Sequence, residues 1–169
     1  MAAKLNITSI FAGDICPSFE HAFSKKVTYE VGAGIVTDNY IRNFFLETPA
    51  VSARRVVVGP SAYGSLRYYP MRMGEGIYFS SEMRYRLYRK KFSQDGGAII
   101  INEFHQYLIP RFGIGFHKFT DDKMFFDISV NTGLGFEKYL RAGDLNANSV
   151  VRFHFGVAVK VGYALKHQK

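Results

Sequence analysis

Val27-Thr28-Tyr29-Glu30-Val31-Gly32-Ala33-Gly34-Ile35 decides the fold. Its odd positions are apolar; its even positions are polar or tiny. Side chains along a strand alternate between two faces, so this stretch reads as a strand with one greasy and one polar side. The same two-residue beat returns over 77–89, 126–138 and 151–163. Eight strands are predicted, over 4–12, 14–24, 26–37, 54–69, 76–90, 103–118, 123–138 and 150–165. Most exceed the length of about 5–6 residues usual in soluble proteins.

Working outward, the connections alternate. Residues 24–26, 69–75 and 120–122 make short turns, whereas 38–53, 91–102 and 139–149 make long polar loops. Up-and-down order puts all long loops on one rim and all short turns on the other, an asymmetry of outer-membrane barrels. The expectation is an all-β fold: an eight-stranded antiparallel up-and-down transmembrane β-barrel, one domain over residues 1–169.

Composition fits. The chain has 169 residues, 47% of them apolar and 16% aromatic, which excludes a disordered polar chain. Mean hydropathy is only -0.07, and no apolar run is long enough for a membrane helix. A spanning barrel averages its two faces and looks nearly neutral. Net charge is +8, which favours anionic partners, although no nucleic-acid motif accompanies it. A single cysteine, Cys16, excludes an intrachain disulfide and reads as a small buried residue. No convincing secretory signal is read, because residues 7–13 are short for an apolar core and contain Thr8 and Ser9. Export therefore rests on the expectation that a native signal has been removed.

Volume decides which face points outward. One face carries Tyr29, Val56, Val58, Leu66, Tyr68, Phe79, Met83, Tyr85, Leu87, Leu108, Phe112, Ile114, Phe116, Phe126, Ile128, Leu134, Phe136, Phe153 and Phe155. An eight-stranded interior is only just wide enough to be filled by side chains, and this set overfills it. The opposite face mixes glycines with charges of both signs. Its expected lumen network is Glu20, Glu30, Arg67, Glu82, Arg84, Arg86, Arg111, Asp127, Glu137, Arg152 and Lys160. Facing lipid, each Arg or Lys costs about 2–4 kcal/mol at the midplane; facing each other, opposite charges pair. Aromatic girdles are expected from Tyr68, Tyr69, Tyr78, Phe79, Phe125 and Tyr163 at the short-turn rim. Tyr40, Phe44, Phe45, Tyr88, Phe104 and Tyr139 are expected at the other. Basic residues there, Arg42, Arg54, Arg55, Arg89, Lys90, Lys91, Lys138 and Arg141, suit lipopolysaccharide phosphate.

Lys4-Leu5-Asn6-Ile7, Phe19-Glu20-His21-Ala22-Phe23, Tyr29-Glu30-Val31-Gly32-Ala33-Gly34 and Lys160-Val161-Gly162-Tyr163 resemble an uncharacterised family of small Gram-negative outer-membrane β-barrel proteins. More loosely, the chain is similar to OmpA/OmpX-type eight-stranded barrels. That resemblance implies residence in the cell outer membrane and brings no catalytic residues. Such barrels usually finish on an aromatic residue read by the outer-membrane assembly machinery; here the chain continues past Tyr163 to Lys169.

Chemistry-bearing clusters are sparse. The Gly-x-Gly pairs at 32/34, 113/115 and 133/135 open no helix and lack a third glycine, so they cradle no phosphate. His21, His105, His117, His154 and His167 show no metal-ligand spacing. No His-x-Ser pair points to a lipid deacylase. The expected role is a monomeric, non-enzymatic membrane barrel with a plugged polar lumen and no metal or cofactor. It would serve membrane integrity, adhesion or contact with outer-membrane lipid and lipopolysaccharide. The alternatives are a soluble lipocalin-like carrier of an apolar ligand, a lipid-modifying enzyme and a narrow pore.

Overall fold

The computed structural model describes residues 1–37, 54–71, 75–94, 99–120, 123–142 and 146–165. Ten strands and one short helix follow one another. They are β1 Ala2–Asn6, α1 Ile7–Phe11, β2 Asp14–Ile15, β3 Ser18–Ala22, β4 Val27–Val36, β5 Arg54–Val57, β6 Gly59–Tyr68, β7 Gly76–Gln94, β8 Ile99–Phe119, β9 Met124–Arg141 and β10 Asn148–Ala164. All pairings are antiparallel. They close a ring β1-β3-β4-β6-β7-β8-β9-β10-β1, with β2 added on β4 and β5 on β7.

The ring is staggered. From Ala2, partners lead through Glu20, Glu30, Ser65, Glu82, Arg111 and Gly133 to His154 on β10. Ala2 itself pairs with Ala164, ten residues away from His154 along the same strand.

Where the strands differ from the sequence reading, local chemistry explains it. The expected strand 4–12 stops at Asn6, because the Asn6 side chain caps α1, accepting from the Ser9 N–H at 3.1 Å. The strand expected over 14–24 is split at Cys16-Pro17, since Pro17 has no N–H to donate. Register survives the split: Ile15 faces Ile35 and Ser18 faces Gly32. Gly34 is required beside it, as a Cβ there would sit 1.9 Å from the Ile15 carbonyl oxygen. The strand expected over 54–69 is broken at Val58 by a one-residue slip against β7. Such a bulge moves every residue before it to the other face. Val56, expected on the outer face with Val58, therefore lies opposite the inward-facing Lys90. The strands β7 to β10 outrun expectation: 91–94 and 99–102 of the loop read over 91–102, and 139–141 and 148–149 of the loop read over 139–149, are strand. Residues 38–53, the third long loop, lie outside the described residues.

Burial is inverted relative to a water-soluble β protein. Phe112 is 67% exposed and Phe153 74%, while Glu30 and Asp127 are wholly buried. Ion pairs that join strands across the ring show that the buried face is the inner one, as between Arg67 on β6 and Asp127 on β9. Every outer-face residue named from the sequence is exposed except Val56.

Candidate functional site

The interior is a ladder of charges in three tiers. Period-two alternation aims one residue in two of each strand inward, and glycines leave room for the long ones. A Cβ on Gly32 would collide with the Tyr63 ring, on Gly115 with the Tyr78 ring and on Gly162 with the Phe125 ring. Glycine is thus the partner that lets each aromatic lie flat across the lumen.

The tier nearest the short turns sets Lys4, Arg67 and Lys160 against Glu20, Glu30 and Asp127. Lys4 Nζ lies 2.8 Å from Asp127 Oδ2, and Arg67 Nη1 lies 2.5 Å from the same oxygen. Lys160 Nζ donates to Glu30 Oε1 at 2.7 Å, and Ser18 Oγ donates to it at 2.7 Å. Arg67 also pairs with Glu30, and Lys4 with Glu20. Hydroxyls of Thr28, Tyr63 and Tyr78 donate to Glu20, Glu30 and Asp127. The three cations match the three carboxylates, which a desolvated cluster requires. Below it the rings of Tyr69, Tyr78, His117 and Phe125 pack against one another at tilted angles, with the His117 and Phe125 ring centres 4.3 Å apart.

The middle tier holds Arg84, Arg86 and Arg111 with Asp14 and Glu82. Arg84 Nη1 donates to Asp14 Oδ2 at 2.6 Å and Arg86 Nε at 2.9 Å. Arg84 Nε reaches Glu82 at 3.1 Å, and Arg111 pairs with the same carboxylate. Three guanidiniums meet two carboxylates here.

The third tier gathers Glu103, His105 and Glu137. His105 Nδ1 lies 2.8 Å from Glu137 and its ring is sandwiched between Tyr88 and Tyr139. Lys90 approaches Glu137 at 3.6 Å, Arg141 approaches Glu103 at 3.3 Å, and Arg152 approaches Glu137 at 3.5 Å.

Ten of the eleven expected lumen residues are buried or largely so and paired inside; the eleventh, Arg152, pairs with Glu137 yet its side chain is 63% exposed, because β10 is open at that height. Lys4, Asp14 and Glu103 are further members that the sequence reading left out of the network, and His105, whose polar-face parity marks it as a lumen hydrogen-bonder, joins them. Their parity was available: Lys4 shares that of Asn6, and Glu103 and His105 that of Arg111. Among the expected phosphate contacts, Arg89, Lys91 and Lys138 are exposed, with Arg89 lying over the Phe104 ring. Lys90 and Arg141 instead turn to inner carboxylates. Arg54 and Arg55 belong to β5, with side chains outside the description, and Arg42 lies outside the described residues.

The girdle expectation is corrected in part. Tyr69, Tyr78 and Phe125 are buried plug residues, and Tyr88 and Tyr139 stack on His105. Tyr68, Phe79, Phe104 and Tyr163 do lie exposed on the outer face. Tyr40, Phe44 and Phe45 lie outside the described residues.

Among the described residues no helix is long and apolar enough to cross a membrane, which says nothing of strands. No group of three or more His, Cys, Asp or Glu among them is placed to hold a metal ion. No protein-family model, no curated protein and no solved structure matches this chain.

Proposed function

We propose that this protein is a monomeric β-barrel integral to the cell outer membrane. Its lumen is plugged, and it serves membrane integrity, adhesion or lipopolysaccharide contact through its long-loop rim. As staves, the ten strands count as eight, since β2 continues β3 and β5 continues β6 along the same partners. A ten-residue stagger over eight steps of about 4.8 Å inclines the staves by about 41°, inside the range of membrane barrels. Each residue then climbs about 2.5 Å, and the outward run from Met124 to Phe136 covers about 30 Å, the thickness of a bilayer core.

The single observation that carries the reading is the outer belt. Among the described residues, no Asp, Glu, Lys or Arg occupies an outward position between Lys118 at one rim and Arg89 and Lys138 at the other. Soluble monomers seldom expose apolar patches beyond about 300–600 Å². The lipocalin-like alternative needs an apolar interior, and this one holds three tiers of ions. A narrow pore is disfavoured by the same filling. The basic residues Arg89, Lys91 and Lys138 lie where outer-leaflet phosphates would be, and Arg forks suit them.

Exported expression followed by membrane fractionation and unboiled gel electrophoresis tests this. Recovery in the outer-membrane fraction, dependence on detergent and a band that shifts on boiling are expected. A monodisperse monomer in plain buffer would overturn the proposal.

A further inference from the structure

The ring wall has a seam. Along its whole length from Asn148 to Tyr163, β10 pairs with β9, but β1 covers it only from Lys160 to Ala164. Above that, α1 stands where a strand would continue. Thr8 Oγ1 there accepts from the Val159 N–H at 3.2 Å and donates to the Val157 carbonyl at 3.1 Å. Beyond Val157 the free edge of β10 has no strand partner among the described residues, and Val151, Phe153 and Phe155 on it are exposed. An unpaired edge at membrane depth is costly unless something covers it.

Just inside the seam lies Gly156. A Cβ there would meet Arg111 Nη1 at 3.5 Å and His154 Cε1 at 3.7 Å, ordinary contact distances, so unlike Gly32, Gly115 and Gly162 it carries no aromatic ring against its inner face. Arg111 is only 8% exposed, and its Nε has no partner; nor has His154 Nδ1. Both face Arg84 and Arg86 in the tier that lacks one negative charge. A buried surplus cation with a free donor calls for an anion.

We propose that the β10–α1 seam is a lateral entrance for a single-chain anionic amphiphile of the fatty-acid type. Its head takes the free donor of Arg111 inside, while its chain passes out beside Gly156 along Phe153 and Phe155. This binding rests on the membrane placement above. The missing side chain of Gly156 beside the free edge suits one acyl chain rather than two, and one negative charge completes the middle tier.

Titration calorimetry in neutral maltoside micelles with dodecanoate tests it, on wild type and on Gly156→Leu, which plugs the gap and leaves every charge in place. One dodecanoate per chain is expected, with affinity at least about tenfold lower for methyl dodecanoate and for Gly156→Leu. Arg111→Met should weaken binding of dodecanoate and of lysophosphatidic acid alike. Equal binding of the methyl ester, equal binding by Gly156→Leu, or equal competition by two-chain phosphatidylglycerol would overturn the entrance. So would a dimer joined along β10 that dodecanoate does not dissociate. A protein that needs detergent and shows the band shift, yet binds no dodecanoate, overturns this inference alone. One that needs no detergent overturns the membrane placement as well.

Discussion

Arg67→Met removes the cation on which the lowest tier converges. Arg67 touches Glu20, Glu30 and Asp127 and lies 4.7 Å over the Tyr78 ring. Methionine keeps part of the volume but leaves three carboxylates facing Lys4 and Lys160 only. Breaking a buried ion pair by removing one partner costs about 3–5 kcal/mol, because an uncompensated charge stays desolvated. The unfolding constant should rise roughly a hundredfold or more, since each 1.4 kcal/mol is a factor of ten. Asp127→Asn alone strands positive charge instead and should cost about as much. Arg67→Met with Asp127→Asn restores charge balance, so the two losses should not add; a coupling of about 1–3 kcal/mol is expected. Urea unfolding in lipid vesicles, followed by far-ultraviolet circular dichroism and by the boiling-dependent band shift, measures all three variants. A loss below about 1 kcal/mol for Arg67→Met, the size of a surface pair, would refute the reasoning by implying a hydrated lumen. Additive single losses would refute the direct coupling.

Gly133→Ala should destabilise by more than about 2 kcal/mol, because its Cβ would sit 2.0 Å from the Pro110 carbonyl oxygen, whereas Gly64→Ala meets nothing within 4 Å and should be neutral or stabilising; denaturant midpoints compare them. Phe112→Arg, on the exposed outer face, should cost about 2–4 kcal/mol in vesicles, and Lys138→Ala at the rim well under 1 kcal/mol, by the same unfolding measurement. Cys16 is buried and free, so an aqueous thiol reagent should label it only after unfolding; rapid labelling of the folded protein, read by mass spectrometry, would contradict its placement. Replacing Arg89, Lys91 and Lys138 together by Ala should reduce lipopolysaccharide co-purification without shifting the denaturant midpoint.

Much of the ring was legible because alternation is a strong, redundant signal: residues 126–138 could not be written otherwise without turning Asp127 and Glu137 to the outer, apolar face. The misses are local and have identifiable causes. Asn6 and Pro17 act through capping and a missing donor, which override the period in the first hairpin. At Val58 a single extra residue inverts the face of Val56, and nothing in the alternation marks where such a slip falls. Tyr69, Tyr78 and Phe125 stand at strand ends, the place of girdle residues, yet Tyr78 and Phe125 pair with Gly115 and Gly162, whose missing side chains admit those rings inside. Lys4 and Asp14 open the predicted strands 4–12 and 14–24, where no preceding beat of the alternation marks their face.

The chain contains no tryptophan, so single tryptophans report one place each. Phe112→Trp, Ile114→Trp and Val130→Trp put the probe on the outer belt, and Tyr63→Trp puts it in the lumen. In vesicles of lipids brominated along the acyl chain, fluorescence of the three belt probes should be strongly quenched and that of the lumen probe left nearly unchanged. Quenching of the lumen probe with bright belt probes would contradict the placement of hydrocarbon outside and charge within.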